Sequence, residues 1–486
     1  MLRRKVVIIL TMVAAGLLAG CGSGKKTPPP PQTGGVVIFV GDAPLCDVLS
    51  FRTTVTRLVL IPQNGGDGVD AFATTPFIDV NFASLRDLPT ILHFGTVREG
   101  TYDKARFDLG LTQFAVFDPA MTPPNMLQTA NLSESNPKFS IQPPLTVTKG
   151  KVAGLMVDFD LRRSIVVDAQ GQVTKEVKPI MKLTPVTPSD TEGFGRLEEL
   201  NGFVLTVATF SAVPDFTGSF ALQTLSGTGS PVVNVNLTSN TELIGTPALN
   251  QLLTGSFVEV SGFVDSKGNL VAKTVEVEDQ ENANNNKLAF LGLVTSLTKD
   301  SNGNLTQFNL FVREEQPDRK FIAPLDSIVG VNVSPSTVYQ FSSRSVNFAF
   351  LPFDRTSLAA GQEVVVHGTF NKATDGTVSV SADSVYLKIQ AHEGNFSSLV
   401  KAGSDSKTGA FWLVPCGTIF QGKRILVLTN NGTAFVNVSG LSALTPQPSL
   451  LIKGLLFFEL QGGTINGVTV PAGTPVLLAN QVRQLP

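Results

Sequence analysis

Apolar and polar residues alternate with a period of two along much of the chain, the period of a strand that buries one face. Gly100 to Leu109 and Val157 to Leu161 show it plainly, and Val36 to Val40, Val55 to Ile61 and Pro179 to Val186 supply further strand-like stretches. A helical period of 3.6 surfaces only in brief pieces, Ala83 to Leu92 and Leu249 to Leu253. The pattern predicts an all-β protein, because α/β folds need recurrent helices between their strands. Composition agrees: 33 Phe, 44 Gly and 30 Pro suit short strands joined by tight turns.

Beyond about residue 190 one sequence of elements occurs three times. Each copy opens on a glycine strand (Gly202-Phe203-Val204, Gly292-Leu293-Val294, Gly394-Asn395-Phe396) and proceeds through an apolar strand and a Thr-bearing strand. Each then reaches a strand closed by glycine, at Gly262, Gly368 and Gly454. A polar turn follows (Asp265 to Asn269, Asp375-Gly376, Asn466-Gly467), and last strands are expected at Leu270 to Val277, Val378 to Leu387 and Val468 to Leu478. Spacings of 90 and 102 residues between the opening glycines exceed those of stacked solenoid repeats and indicate tandem domains, each with its own core. The expected organisation is 1–20 signal peptide, 21–35 Pro-rich linker, 36–187 β-sandwich, and small barrels at 193–279, 287–387 and 391–486. Gln280 to Asn286 forms a polar linker between the first two barrels.

The first of these units carries Asp42-Ala43-Pro44, then Gly100, Tyr102 and Arg106 in G-x-Y-x-x-x-R, then Asp158-Phe159-Asp160. In that order these motifs resemble an uncharacterised prokaryotic lipoprotein family, domain of unknown function 4382. The resemblance implies a β-sandwich of immunoglobulin-like or prealbumin-like type and names no function, since the family has no established activity. The glycine-closed copies resemble a second uncharacterised bacterial family, domain of unknown function 5666, which implies small barrels of the oligonucleotide/oligosaccharide-binding type.

At the N-terminus, Arg3, Arg4 and Lys5 precede an apolar stretch from Val6 to Ala19 that is too short for a stable bilayer span. It closes on Leu18-Ala19-Gly20-Cys21, which resembles the lipobox of bacterial lipoproteins. The resemblance implies cleavage between Gly20 and Cys21, acylation of Cys21, and attachment to the membrane by a multi-chain lipid, palmitate among its chains. Gly22 in the next position, where inner-membrane retention uses aspartate, favours the outer membrane of a didermal cell. Pro28 to Pro31 then form an extended spacer.

Charge and candidate chemistry narrow the function further. Loss of the leader leaves 34 basic residues against 39 acidic ones, so no basic footprint for nucleic acid remains. Cys46 and Cys416 lie about 370 positions apart and fit two small buried hydrophobes better than a bridge. His93, His367 and His392 have no second ligand at metal spacing, and neither a nucleophile elbow nor a phosphate loop occurs. Asp158 and Asp160 share one strand face about 7 Å apart. With Asp42 from the D-A-P turn they form the candidate Ca²⁺ ligands, against the plainer reading of a solvated face answered by Arg162 or Arg163. Asp300 to Asn304 imitates the start of a calcium loop but has Phe311 where its glutamate belongs, so a hairpin turn accounts for it. One Trp and three Tyr offer little to a sugar platform. No catalytic residue and no bound cofactor are expected. The reading that remains is a non-enzymatic envelope lipoprotein acting as a structural, adhesion or scaffold module, whose partner is a protein or an envelope polysaccharide. The alternative is a carbohydrate- or calcium-binding surface protein.

Overall fold

The computed structural model describes residues 32–485, except 44–45, 86–89, 121–124, 170–172, 210–214, 225–231, 247, 280–286, 316–325, 342–350, 404, 445–447, 460 and 466. Gly20, Cys21, the Pro-rich spacer up to Pro31 and the Gln280 to Asn286 linker therefore lie outside the described residues. What is described is all β apart from single helical turns. The two helical expectations are corrected: Phe82–Ser84 and Leu249–Gln251 are lone 3₁₀ turns, and by Thr90 the chain is already in a strand. A lone turn lacks the length to offset its nucleation cost.

The first unit is a nine-stranded sheet whose halves face each other across a common core, with a small three-stranded sheet of Asn131–Leu132, Ile165–Val167 and Val173–Val177 beside it. Phe51 from the strand Val48–Pro62 meets Phe159 from Val152–Asp160, with ring centroids 5.1 Å apart. The ends of the sheet path also approach one another, since a Cβ on Gly95 of Thr90–Arg98 would lie 2.4 Å from the Ala71 carbonyl of Val69–Asn81. The opening strand Thr33–Ala43 runs parallel to Val152–Asp160 and antiparallel to Thr90–Arg98.

The three following units share one topology. In the first, the path runs Val232–Leu237, Gly218–Thr224, Arg196–Thr209, Phe257–Val264, Leu270–Asp279, and the two outer strands pair in parallel to close a five-stranded barrel. The second closes between Ile328–Asn332 and Val378–Leu387, the third between Ile425–Thr429 and Thr474–Gln484. This is the strand order of an oligonucleotide/oligosaccharide-binding barrel. In the third barrel the last strand starts at Thr474 and not at Val468, because Val468–Val470 folds into a separate hairpin with Gly463–Ile465.

The recurring glycines now have a cause. A Cβ on Gly202, Gly292 or Gly394 would sit 2.2, 2.2 or 2.4 Å from the carbonyl oxygen of Gln223, Phe311 or Val414 on the neighbouring strand. On Gly262, Gly368 or Gly454 it would meet Val271, Ser381 or Leu478 at 2.2, 2.3 or 2.0 Å. Register shifts accompany both positions, so each barrel turns its corners where only a hydrogen fits.

The cores of the units are joined across their boundaries. The strand Thr33–Ala43 turns Val36, Ile38 and Val40 into its own domain and Val37 and Phe39 into a cluster with Leu197, Val204 and Val260 of the first barrel. In the second barrel Val364 and Val366 face inward while Val365 packs on Phe203 and Phe257 of the first. Leu456 lies in the core of the third barrel, and Leu455 and Phe457 join that of the second. Cys46 and Cys416, expected to be separate, form a disulfide with Cα atoms 5.5 Å apart that ties the first unit to the third barrel. Their sequence distance said nothing of the fold, which returns the last domain to the first.

Gly262→Ala should lower stability by about 1–3 kcal/mol through forced overpacking against a carbonyl. Gly463→Ala, where no atom lies within 4 Å of the added carbon, should leave it within about 0.5 kcal/mol. Denaturant titration of the two variants makes the comparison, and equal losses would remove the steric account of the repeated glycines.

Candidate functional site at the interdomain junction

Where the domains meet, charged side chains interrupt otherwise apolar strands. Arg52 follows Leu49-Ser50-Phe51 and is buried at 7% exposure. Its Nη1 donates to Asp79 Oδ2 and its Nε to Asp326 Oδ2, both at 3.1 Å, and its Nη2 donates to the Arg313 carbonyl. Asp79 belongs to the first unit, Asp326 and Arg313 to the second barrel. Burial alone would favour the neutral guanidinium, but Asp326 and Asp79 outweigh it and hold Arg52 protonated.

Arg313 returns the contact. Its Nε donates to the Leu49 carbonyl at 2.8 Å, and its Nη1 to Glu363 Oε2 at 2.8 Å. Its neighbour Glu314 faces Ser84 of the first unit, Oγ to Oε1 at 3.1 Å. The Ser84 hydroxyl is also 2.7 Å from the Asn81 carbonyl, which can only accept. A serine has one proton to give, so both contacts are satisfied together when Glu314 carries a proton of its own. Burial, with Glu363 nearby and Arg52 pulling the other way, pushes the Glu314 carboxyl up to about 7.

Lys388, in the two-residue connection between the second and third barrels, points into the first. Its Nζ reaches Glu278 at 2.7 Å and also contacts Glu259. Burial pushes Glu259 up, while at Glu278 Lys388 and His367 outweigh burial and hold the carboxylate down. One ammonium between two buried carboxylates leaves one of them to bind a proton. The Tyr386 hydroxyl donates to Glu276, and Lys453 of the third barrel meets Glu198 of the first at 2.6 Å. At the other rim, Arg162 reaches Glu393 at 3.2 Å beside the disulfide, and Asp47 accepts from the Thr418 amide at 2.7 Å.

Between the first unit and the first two barrels lies a cavity of about 120 Å³, reached by Asp79, Ser84, Glu198, Glu314, Glu363 and Lys388 of these groups. Aliphatic side chains such as Leu85, Leu92 and Leu200 form most of its wall, with Asp79, Asn81 and Glu314 among its polar groups.

The residues singled out in the sequence are placed elsewhere. Asp158 stands opposite Lys182 across a strand pair, and Asp160 caps the single turn Leu161–Ser164 by accepting from the Arg163 amide at 3.0 Å. The Asp42 side chain lies outside the described residues, though its backbone pairs beside Phe159. Among the described residues, neither Asp158 nor Asp160 joins a trio of His, Cys, Asp or Glu close enough to share an ion. Asp300 Oδ1 accepts the amides of Asn302 and Asn304, the hairpin turn expected there. Tyr102 is buried, its hydroxyl donating to the Arg98 carbonyl at 2.7 Å, and Phe159 packs on Phe51 and Phe82. Both are structural.

Fold and junction define a multi-domain all-β protein whose polar interior joins its parts. Residues 33–179 match a family described as Domain of unknown function (DUF4382), and residues 221–276, within the first barrel, one described as Domain of unknown function (DUF5666). The chain thus contains both domains. No curated protein matches it. A solved structure titled "drosophila Unr CSD456" overlaps 60% of this chain and 97% of its own at 10% identity and a TM-score of 0.13, too low to bear on the fold.

Glu314 gives the junction a pH signature. Its folded value near 7 lies above the ordinary 4.5, so the folded state holds the proton more tightly. The stability this contributes is complete below about pH 4.5 and is lost as pH rises through 7, roughly 3 kcal/mol in all. Glu314→Gln should match the parent in denaturant stability at pH 4.5 and exceed it at pH 8.5. A constant difference at the two pH values would show that Glu314 is not the titrating group.

Proposed function

We propose that this chain is a non-enzymatic, lipid-anchored module of the cell envelope, held to the membrane through Cys21 and presenting its four β domains as one rigid interaction body. The observation that carries this reading is the Cys46–Cys416 disulfide, which joins the first domain to the last. Disulfides form and persist in oxidising, extracytoplasmic compartments, where an exported lipoprotein resides. A body whose charged interior groups are engaged between domains suits presentation of a fixed surface, to a protein partner or an envelope polysaccharide. The acidic balance of the processed chain argues against nucleic acid. With Gly22 after the acylated cysteine, the outer membrane is the proposed site in a didermal cell.

Cys21→Ser should move the protein from the membrane fraction to a soluble exported form or leave the leader uncleaved, with loss of metabolic palmitate labelling. In the same extracts, quenched with alkylating agent, the parent should migrate faster on non-reducing gels than after reduction. Retained palmitate in Cys21→Ser would refute the anchor, and free thiols at Cys46 and Cys416 would refute the oxidised compartment.

A further inference from the structure

The cavity at the three-domain junction contains two buried polar atoms that make no hydrogen bond among the described residues. Asp79, 8% exposed, accepts from Arg52 on Oδ2 and leaves Oδ1 unpaired. Asn81, 5% exposed, accepts the Phe51 amide on Oδ1 at 3.0 Å and leaves the Nδ2 donor unpaired. As residues i and i+2 they share one face of the strand Val69–Asn81, and both line the cavity. A buried donor or acceptor left unmet costs about 1–3 kcal/mol, so the pair gains most from an occupant that supplies both halves.

The chemistry of that occupant follows by comparison. Among the described lining residues an anion would meet Asp79, Glu198, Glu314 and Glu363 with Lys388 as the one cation, and that ammonium is engaged by Glu259 and Glu278. A metal ion needs oxygens gathered around one point. Among the described residues the only such trio is Cys46, Glu393 and Cys416, away from this cavity, with its two sulfurs bonded to each other. An ammonium would suit Asp79 but face the Asn81 N–H, and Arg52, Arg313 and Lys453 already answer Asp79, Glu363 and Glu198. A hydroxyl both donates and accepts, so a pair of neighbouring hydroxyls satisfies Asp79 Oδ1 and Asn81 Nδ2 together. The aliphatic wall of Leu85, Leu92 and Leu200 complements the C–H face of the same molecule. The volume of about 120 Å³ is near that of protein cavities of about 150 Å³ that hold benzene, which sets the occupant at about six non-hydrogen atoms.

We propose that this junction cavity is a binding site for a neutral polyol unit, either a small free polyol or the exposed edge of a sugar ring, held by Asp79 and Asn81 against the aliphatic wall. The site requires the assembled domains, because its lining comes from the first unit and two barrels. It does not rest on the anchoring proposed above.

The test uses the full-length protein in lauryldimethylamine oxide micelles, a detergent without sugar, and saturation-transfer difference NMR with glycerol, glucose, butylamine and CaCl₂-supplemented glucose. Glycerol or glucose should give a saturable signal that calcium does not change. Asn81→Asp keeps an acceptor for the Phe51 amide and exchanges the Nδ2 donor for a carboxylate oxygen, whose charge falls among the acidic groups of the cavity. It should weaken binding at least tenfold while the far-ultraviolet circular dichroism stays that of the parent. Thr90→Phe, at a half-buried lining position away from the ion pairs, should abolish the signal by filling the space. A saturable signal from butylamine with both polyols silent, no saturable signal from any probe, calcium-dependent sugar binding, or parental affinity in both variants would each overturn the proposal. Loss of the Cys21 anchor would leave these results unchanged, which separates this failure from that one.

Discussion

Among the described residues four buried cations, Arg52, Arg313, Lys388 and Lys453, each reach from one domain into another, and the arrangement of the whole molecule depends on keeping them there. A charge withdrawn from water is tolerable only with partners in place, and removing one partner of such a pair costs about 3–5 kcal/mol. Arg52 takes its partners from two domains at once, Asp79 in its own and Asp326 in the second barrel. Lys388 leaves the joint between the second and third barrels to end among carboxylates of the first. Were the domains to separate, these groups would be rehydrated and the apolar faces beside them exposed. The ion pairs therefore specify which surfaces meet, while the apolar clusters supply most of the attraction.

The strands beside these cations show how one sequence serves two interfaces. A strand with one wet face alternates, whereas Val36-Val37-Ile38-Phe39-Val40 and Val364-Val365-Val366 are apolar at every position. Alternate residues in each go to the strand's own core and to a neighbouring domain. Continuous runs are ordinary in parallel sheets covered on both faces by helices. Here the second cover is another β domain. The disulfide then closes the arrangement at its far end, linking positions 370 residues apart.

The all-β class, the order of elements within the first two barrels and both sets of corner glycines were legible in the sequence, because strand period and steric exclusion are local properties. The hairpin at Asp300 to Asn304 was legible for the same reason. The junction was not, although its traces were present: Lys388 between Leu387 and Ile389, and Lys453 between Ile452 and Gly454, are lone charges beside apolar residues. A charge in such a setting points to a partner, but which partner is a matter of tertiary arrangement. The two-residue passage from the second barrel to the third was a further trace, since so short a connection forces contact. Asp158 and Asp160 drew attention by their spacing, yet spacing along a strand cannot show that Asp160 is engaged in capping a helical turn. The disulfide was misjudged because sequence distance was taken for spatial distance.

If buried interdomain charges and shared apolar faces hold the four domains as one body, the body should unfold as one. Differential scanning calorimetry of the oxidised protein tests this most directly, by comparing the calorimetric enthalpy with the van't Hoff enthalpy of the same transition. The account predicts a single transition with a ratio near one. Several separable transitions, or a ratio approaching the number of domains, would contradict it and return the molecule to a string of independent units.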